Sequence, residues 1–226
     1  MKEATKKYLE EIVKNSYQET AFEFNLTRQK VIWPQLQKKA DAVPDNSKIL
    51  DLGCGNARLL KAFNNRKIDY LGCDQEKQLI EIARKNWPSH KFELCNFDEM
   101  PEEKFDYIFA IAVIHHIPSK EKRLEVLKKM KSRLNTNGKI IISVWNLRKS
   151  KTLLIFKTYF KQLFKKPVEF GDVLFPWKKD QGKNLVTRYY HAFSKKSLKN
   201  LAKSAGFKIE SLEEDKYNLW IELKKD

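Results

Sequence analysis

Residues Ile49 to Leu60 read ILDLGCGNARLL, a short apolar run closed by an acid, with small residues following at Gly53, Gly55 and Ala57. Ile49, Leu50 and Leu52 suit a buried parallel strand, and glycines at its C-terminal end let the backbone approach a ligand closely. A strand that ends in such a loop and then enters a helix commits the chain to an open α/β sheet with its ligand at the sheet edge. A second acid closes the next apolar run, Tyr70-Leu71-Gly72-Cys73-Asp74. A carboxylate about 20 residues past the glycines stands where it accepts hydrogen bonds from both hydroxyls of a ribose. Together the two features point to a nucleoside cofactor.

The rest of the chain repeats the strand–helix rhythm. Apolar periodicity predicts helices over 5–21 and 27–40, helical character over 57–64, and further helices over 75–86 and 120–134. Strands are predicted at 70–73, 92–94, 105–113 and, after the Asn135–Gly138 turn, 139–145. Single strands alternating with helices imply right-handed crossovers and a Rossmann-like, mostly parallel sheet of seven strands with helices on both faces. The rhythm breaks after Asn146. An extended segment over 188–193, a helix over 194–205 capped by Ser194 with Gly206 past its end, and a closing hairpin over 207–212 and 217–224 complete the chain. The organisation expected is a single domain, 1–226: a helical cover (1–44), a cofactor-binding half (45–146), a basic insertion (147–187) and a C-terminal substrate-side part (188–226).

The formal net charge is +16 and the pI about 9.6, a balance that fits a nucleic-acid partner as well as a Lys-rich coding bias. Its distribution favours the first. Arg148, Lys149, Lys151, Lys157, Lys161, Lys165, Lys166, Lys178 and Lys179 interleave with Phe156, Tyr159, Phe160, Phe164, Phe175 and Trp177, against only Glu169 and Asp172. Cys54, Cys73 and Cys95 form neither a disulfide framework nor a zinc spacing, and read as small buried thiols of a reduced cytoplasm. The first residues lack an apolar signal segment, and no run reaches membrane-spanning length. His115-His116 invites a metal, but neighbouring side chains diverge and no carboxylate or cysteine stands at ligand spacing.

The pattern Asp51-x-Gly53-x-Gly55-x-Ala57 departs from a dinucleotide fingerprint and resembles motif I of class I S-adenosylmethionine-dependent methyltransferases. The resemblance implies that fold and that cofactor. On it, the binding residues are Arg28, Asp51, Gly53, Gly55, Asn56, Ala57, Asp74, Gln75, Asn96, Phe97, Ala112 and His115, with Asp74 on the ribose, Asn96 and Phe97 toward the adenine, and His115 near the sulfonium. His116 is expected in a structural hydrogen bond.

The segments IAVIHHI and IIISVWN, then GDVLFPW at 171–177, RYYHAF at 188–193 and NLWIELK at 218–224, make the resemblance narrower. They are similar to the transfer RNA methyltransferases that esterify 5-carboxymethyluridine at the wobble position, as are Phe24, Thr27-Arg28 and Trp33-Pro34 near the start. The family usually has glycine where Ala57 stands and aspartate where Asn96 stands, and its gap from Thr-Arg to Trp-Pro is one residue shorter. The resemblance implies a tRNA acceptor, contacted at the anticodon by Trp177, Arg188, Tyr190 and His191, with one of Tyr189 and Tyr190 in the core and the other free to stack on a base. It assigns no catalytic acid or base, since an ionised carboxylate attacks a sulfonium methyl unaided. Eukaryotic and archaeal relatives work with a small zinc-binding activator. A small-molecule methyltransferase and a non-catalytic RNA-binding module of the same fold stay open on the residues alone.

Overall fold

The computed structural model describes residues 1–28, 32–64, 66–162, 168–179 and 184–225, with the backbone alone for 20–28, 150, 161–162 and 178–179. Seven strands form one sheet in the order β3-β2-β1-β4-β5-β9-β8. They are β1 (Lys48–Leu52), β2 (Asp69–Asp74), β3 (Lys91–Leu94), β4 (Phe105–Ile111), β5 (Leu134–Trp145), β8 (Phe207–Glu214) and β9 (Asn218–Lys225). The first five run parallel. β9 enters antiparallel beside β5, with Ile140 opposite Leu223 and Ile142 opposite Ile221.

Helices cover both faces because the central strands are apolar on both sides. On one face α4 (Lys120–Ser132) and α6 (Lys195–Ser204) bury Val126, Leu127, Met130, Leu198 and Leu201 against Ile108, Ile140 and Ile142. On the other, α2 (Pro34–Asp41), a 3₁₀ segment (Arg58–Phe63) and α3 (Lys77–Asn86) pack Leu36, Leu60, Phe63 and Ile80 against Ile49, Phe109 and Trp220. Ser194 and Ser197 form a reciprocal capping box that starts α6, and Gly206 follows it at φ +78°, as the sequence predicts. Lys39, almost wholly buried, ties α2 to the last hairpin through Glu213 (2.6 Å) and Glu222.

The described part of the insertion forms an element of its own. α5 (Leu147–Gln162), kinked at Lys151, packs on a two-stranded antiparallel sheet of β6 (Asp172–Lys179) and β7 (Asn184–His191). The other side of that pair meets α1 (Glu3–Arg28), where Leu9 and Val13 bury Tyr189 and Val168. Boundaries differ from the sequence reading. α1 runs to Arg28 instead of ending near Ala21, the helix read over 27–40 begins at Pro34, and the helical character read over 57–64 is a 3₁₀ segment over 58–63. β4 stops at Ile111 instead of 113, and β5 begins at Leu134, so the segment read as the Asn135–Gly138 turn lies inside a strand. A register shift between Phe105 and Tyr107 of β4 accommodates that segment.

Candidate active site

β1 lies between β2 and β4, so the chain reverses its direction across the sheet there, and ligands of open α/β folds bind at that reversal. A cleft occupies this position, bounded by Leu52, Cys73, Cys95, Ile111 and Trp145 at the ends of β1 to β5. Val13 and Tyr17 of α1 and Arg188 and Tyr190 of β7 close over it.

At one end the backbone does the shaping. Gly53 sits at φ +72°, and a Cβ there would lie 2.5 Å from a Val113 methyl. The amides of Gly53 and Cys54 donate to the Cys73 carbonyl at 2.7 and 3.1 Å, which joins the loop to β2. Gly55 N–H donates to Asp74 Oδ2 (2.8 Å) and Glu76 N–H to Oδ1 (2.9 Å). Each carboxylate oxygen is therefore oriented by one amide and keeps a further lone pair for a hydroxyl. Burial pushes the Asp74 carboxyl up, and the backbone amides pull the other way. Ala57 (φ 59°) and Ala112 (φ 60°) hold left-handed conformations beside the cleft, strain of the kind concentrated at ligand sites.

Asp51 is not on the wall. It lies behind the loop, accepts a hydrogen bond from the Tyr70 hydroxyl (2.8 Å), and burial pushes its pKa up to about 7. Asn56 and Ala57 are buried behind the same loop. Gly53, Gly55, Asp74, Gln75, Asn96, Phe97 and Ala112 do line the cleft. The Asn96 side chain is committed to its own turn, accepting from the amides of Asp98 and Glu99 and donating to the Glu99 carboxylate. Arg58 also faces the cleft, its guanidinium 4.0 Å from the Trp33 ring. The side chain of Arg28 lies outside the described residues.

His116 makes the hydrogen bond expected of it, but it is His116 and not His115 that lines the cleft. His115 is fully buried, with Nδ1 3.3 Å from the Trp145 amide, whereas His116 lines the cleft and hydrogen-bonds the Tyr17 hydroxyl through Nε2 at 2.8 Å.

At the other end, side chains do the shaping. The Arg188 guanidinium lies 4.3 Å from the Trp177 ring and donates to the Tyr190 hydroxyl at 3.3 Å. Tyr190 is not free to stack on a base: it is fully buried and stacks on Trp145 (4.8 Å) and Phe175 (5.2 Å). Tyr189 is buried as well. Trp177 meets the cleft through Arg188, and His191 is set back from it. His191 Nδ1 is 2.8 Å from Asp172 Oδ1, which also accepts from the Tyr189 hydroxyl, while Asp172 Oδ2 accepts from the Glu169 amide. Burial, and then the nearby Arg123, push the His191 pKa down. Glu169, Asp172 and His191 bring donor atoms within 4.8 Å of one another. With Arg123 paired to Glu169, their oxygens are engaged by protein groups and the cluster acts as a polar joint between α4 and the β6–β7 pair.

Tyr17, His116 and Trp145 were not among the expected site residues. The strand-end rule reaches Trp145, the last residue of β5. Nothing local marks Tyr17, which arrives on a helix remote in sequence. Of the basic and aromatic run, Lys151, Lys157, Phe156 and Phe160 are exposed on α5, while Arg148 donates to the Ala192 carbonyl. The side chains of Lys161, Phe164, Lys165, Lys166, Lys178 and Lys179 lie outside the described residues.

Comparison with known proteins accords with this geometry. The chain is 29% identical over 223 residues to the tRNA (carboxymethyluridine(34)-5-O)-methyltransferase of Schizosaccharomyces pombe, covering 95% of this chain and 96% of that protein. It is 32% identical over 170 residues to the Saccharomyces cerevisiae protein of the same name, spanning 74% of this chain and 57% of the relative. Among solved structures, an S-adenosylmethionine-dependent methyltransferase from Methanosarcina mazei superimposes with a TM-score of 0.70 at 17% identity, covering 86% of this chain and 98% of that one. One from Clostridium acetobutylicum gives 0.66 at 14%, covering 93% and 99%. A family model described as a methyltransferase domain matches residues 19–212, and on this match, carried by a class I methyltransferase fold, the chain belongs to the methyltransferase domain family.

Proposed function

We propose that this chain transfers a methyl group from S-adenosylmethionine to the carboxymethyl group of a modified wobble uridine in tRNA, forming its methyl ester. The observation that carries the reading is the near end-to-end similarity to the fission-yeast enzyme, which extends through the β6–β7 pair as well as the cofactor half. The cleft fits the cofactor at Gly53 and Gly55, which line it with backbone alone, and at Asp74, whose oxygens are held for two hydroxyls. When bound, the cofactor supplies a methyl group on a sulfonium. Asp74 holds the ribose, the glycine loop passes close to the methionine end, and Phe97 provides apolar surface for the purine.

The acceptor carboxylate is ionised at neutral pH, so no side chain needs to remove a proton. The protein contributes orientation and exclusion of water. Arg188, braced by Trp177 and Tyr190, pairs with the carboxylate or a neighbouring phosphate. The exposed lysines and phenylalanines of α5 offer charge and stacking surface to the anticodon arm. Among the described residues no helix is long and apolar enough to cross a membrane, in keeping with a cytoplasmic tRNA enzyme. A small zinc-binding activator, as the resemblance implies, has an open sheet edge available at β3, where Leu94 is exposed.

The test is incubation with labelled cofactor and tRNA carrying 5-carboxymethyluridine, alone and with such an activator, followed by nucleoside analysis. Label in the methyl ester of that nucleoside supports the reading. Label confined to a small molecule, or to another nucleoside, overturns it.

A further inference from the structure

Cys73 and Cys95 are 22 residues apart in sequence, yet their Cα atoms are 5.6 Å apart, within the separation a disulfide spans. The sequence reads all three cysteines as small buried thiols outside any disulfide framework; they are buried, but two of them are neighbours. Cys73 is the next-to-last residue of β2 and Cys95 follows the last residue of β3, and both line the cleft. Each directly precedes a residue on the cofactor wall: Asp74 after Cys73, Asn96 after Cys95. The Cys95 amide donates to the Asp74 carbonyl (3.0 Å), and the Cys73 carbonyl holds the glycine loop. Both side chains are otherwise buried, so the cleft is the route by which a small reagent reaches them. Cys54 is buried and outside the pair.

We propose that Cys73 and Cys95 form a redox-sensitive dithiol in the cofactor wall, and that its oxidation to a disulfide by a peroxide stiffens the cofactor site. Two S–H bonds and the peroxide O–O bond break, one S–S bond forms, and two waters leave. The sulfurs are oxidised and the peroxide is reduced, without a further co-reactant. Because the Cα separation already suits the bond, closing it leaves the cleft in the shape described and removes freedom from the two loop ends that carry Asp74 and Asn96. A ligand then loses less conformational entropy on binding. The bond itself stands apart from the functional reading. Its effect on affinity rests on the S-adenosyl cofactor assigned above.

The experiment uses the full chain, either reduced or treated with about one equivalent of hydrogen peroxide. Thiols are titrated in denaturant, intact mass is measured, and S-adenosylhomocysteine binding is followed by calorimetry. The expected result is a fall from three titratable thiols to one, a mass loss of about 2 Da, and affinity about 3–10-fold tighter in the oxidised form. Saturating S-adenosylhomocysteine should slow the oxidation, and Cys95→Ser should show no peroxide-dependent change in affinity. Three thiols persisting, or a mass gain from sulfinic acid in place of the loss, overturns the pair. A bond that forms with equal affinity in both states overturns its coupling to the site. Absence of S-adenosylhomocysteine binding in both states overturns the cofactor assignment and that coupling together, while the thiol count still decides the bond.

Discussion

Around the glycine loop, the groups that face the cleft come from strand ends close together in the chain and are fixed by backbone amides. Around Arg188 they come from β5, β6 and β7 and are fixed by ring stacking. The first arrangement is set by the backbone, because each donor belongs to a strand or its immediate continuation, and it suits a constant ligand. The second depends on side chains braced against one another, and it suits an acceptor that varies between enzymes sharing the fold. The difference teaches where a mutation should act on cofactor affinity and where on transfer.

Asp74→Ala should have the largest effect. It removes both oxygens that Gly55 and Glu76 orient, so S-adenosylhomocysteine affinity should fall at least about 100-fold, roughly 3 kcal/mol. Calorimetric affinity that survives the change would detach the ribose from this acid. Arg188→Ala should sort the other way, lowering methylation of tRNA by about 30-fold with S-adenosylhomocysteine affinity within about twofold. Equal loss of both quantities would merge the two ends of the cleft into one structural unit and end the comparison.

The same contrast explains what could be read from the chain. Asp74, Gly53 and Gly55 are legible because their chemistry is local: an acid after a strand, and glycines where φ is positive. Ser194 and Gly206 are legible for the same reason. Tyr189 and Tyr190 are not. Strand alternation puts them on opposite faces, and a reader of sequence then leaves one face to solvent. The β6–β7 pair is instead covered by α1 on the Tyr189 side and by α5 on the Tyr190 side, so both rings are core. Tyr17 and the Cys73–Cys95 pair fail similarly, since each needs two elements placed in space before its meaning exists. Which of His115 and His116 faces the cleft is not legible either, because a 3₁₀ turn, Ile114–His116, decides it.

Gly53→Ala probes the backbone-shaped end more gently. The added methyl meets Val113 and the backbone is left-handed, so stability should drop by about 1–3 kcal/mol in denaturant melts. Adding Val113→Ala should recover the steric part and leave the conformational part. Full recovery would mean that the left-handed φ costs nothing here, and no recovery that the collision is relieved elsewhere.

Asp51 gives the finest separation between the loop's lining and its support. Its carboxyl is raised to about 7, first by burial, while the Tyr70 hydroxyl opposes the shift. Below pH 4 the group is protonated in the folded and unfolded chain alike and imposes no penalty. Between pH 4 and 7 the folded chain retains a proton that the unfolded chain has released, so stability falls as pH rises, by at most about 1.4 kcal/mol per pH unit. Above 7 the carboxylate is charged in both states and the penalty is complete. Asp51→Asn keeps an acceptor for Tyr70 and has no proton to lose. Its stability relative to wild type should therefore climb from pH 4 to 7 and then level, measured as the difference between two urea melts at each pH. Parallel curves across that window would show Asp51 ionised without cost, which would require it to be solvated or paired at the cleft wall instead of buried behind the loop.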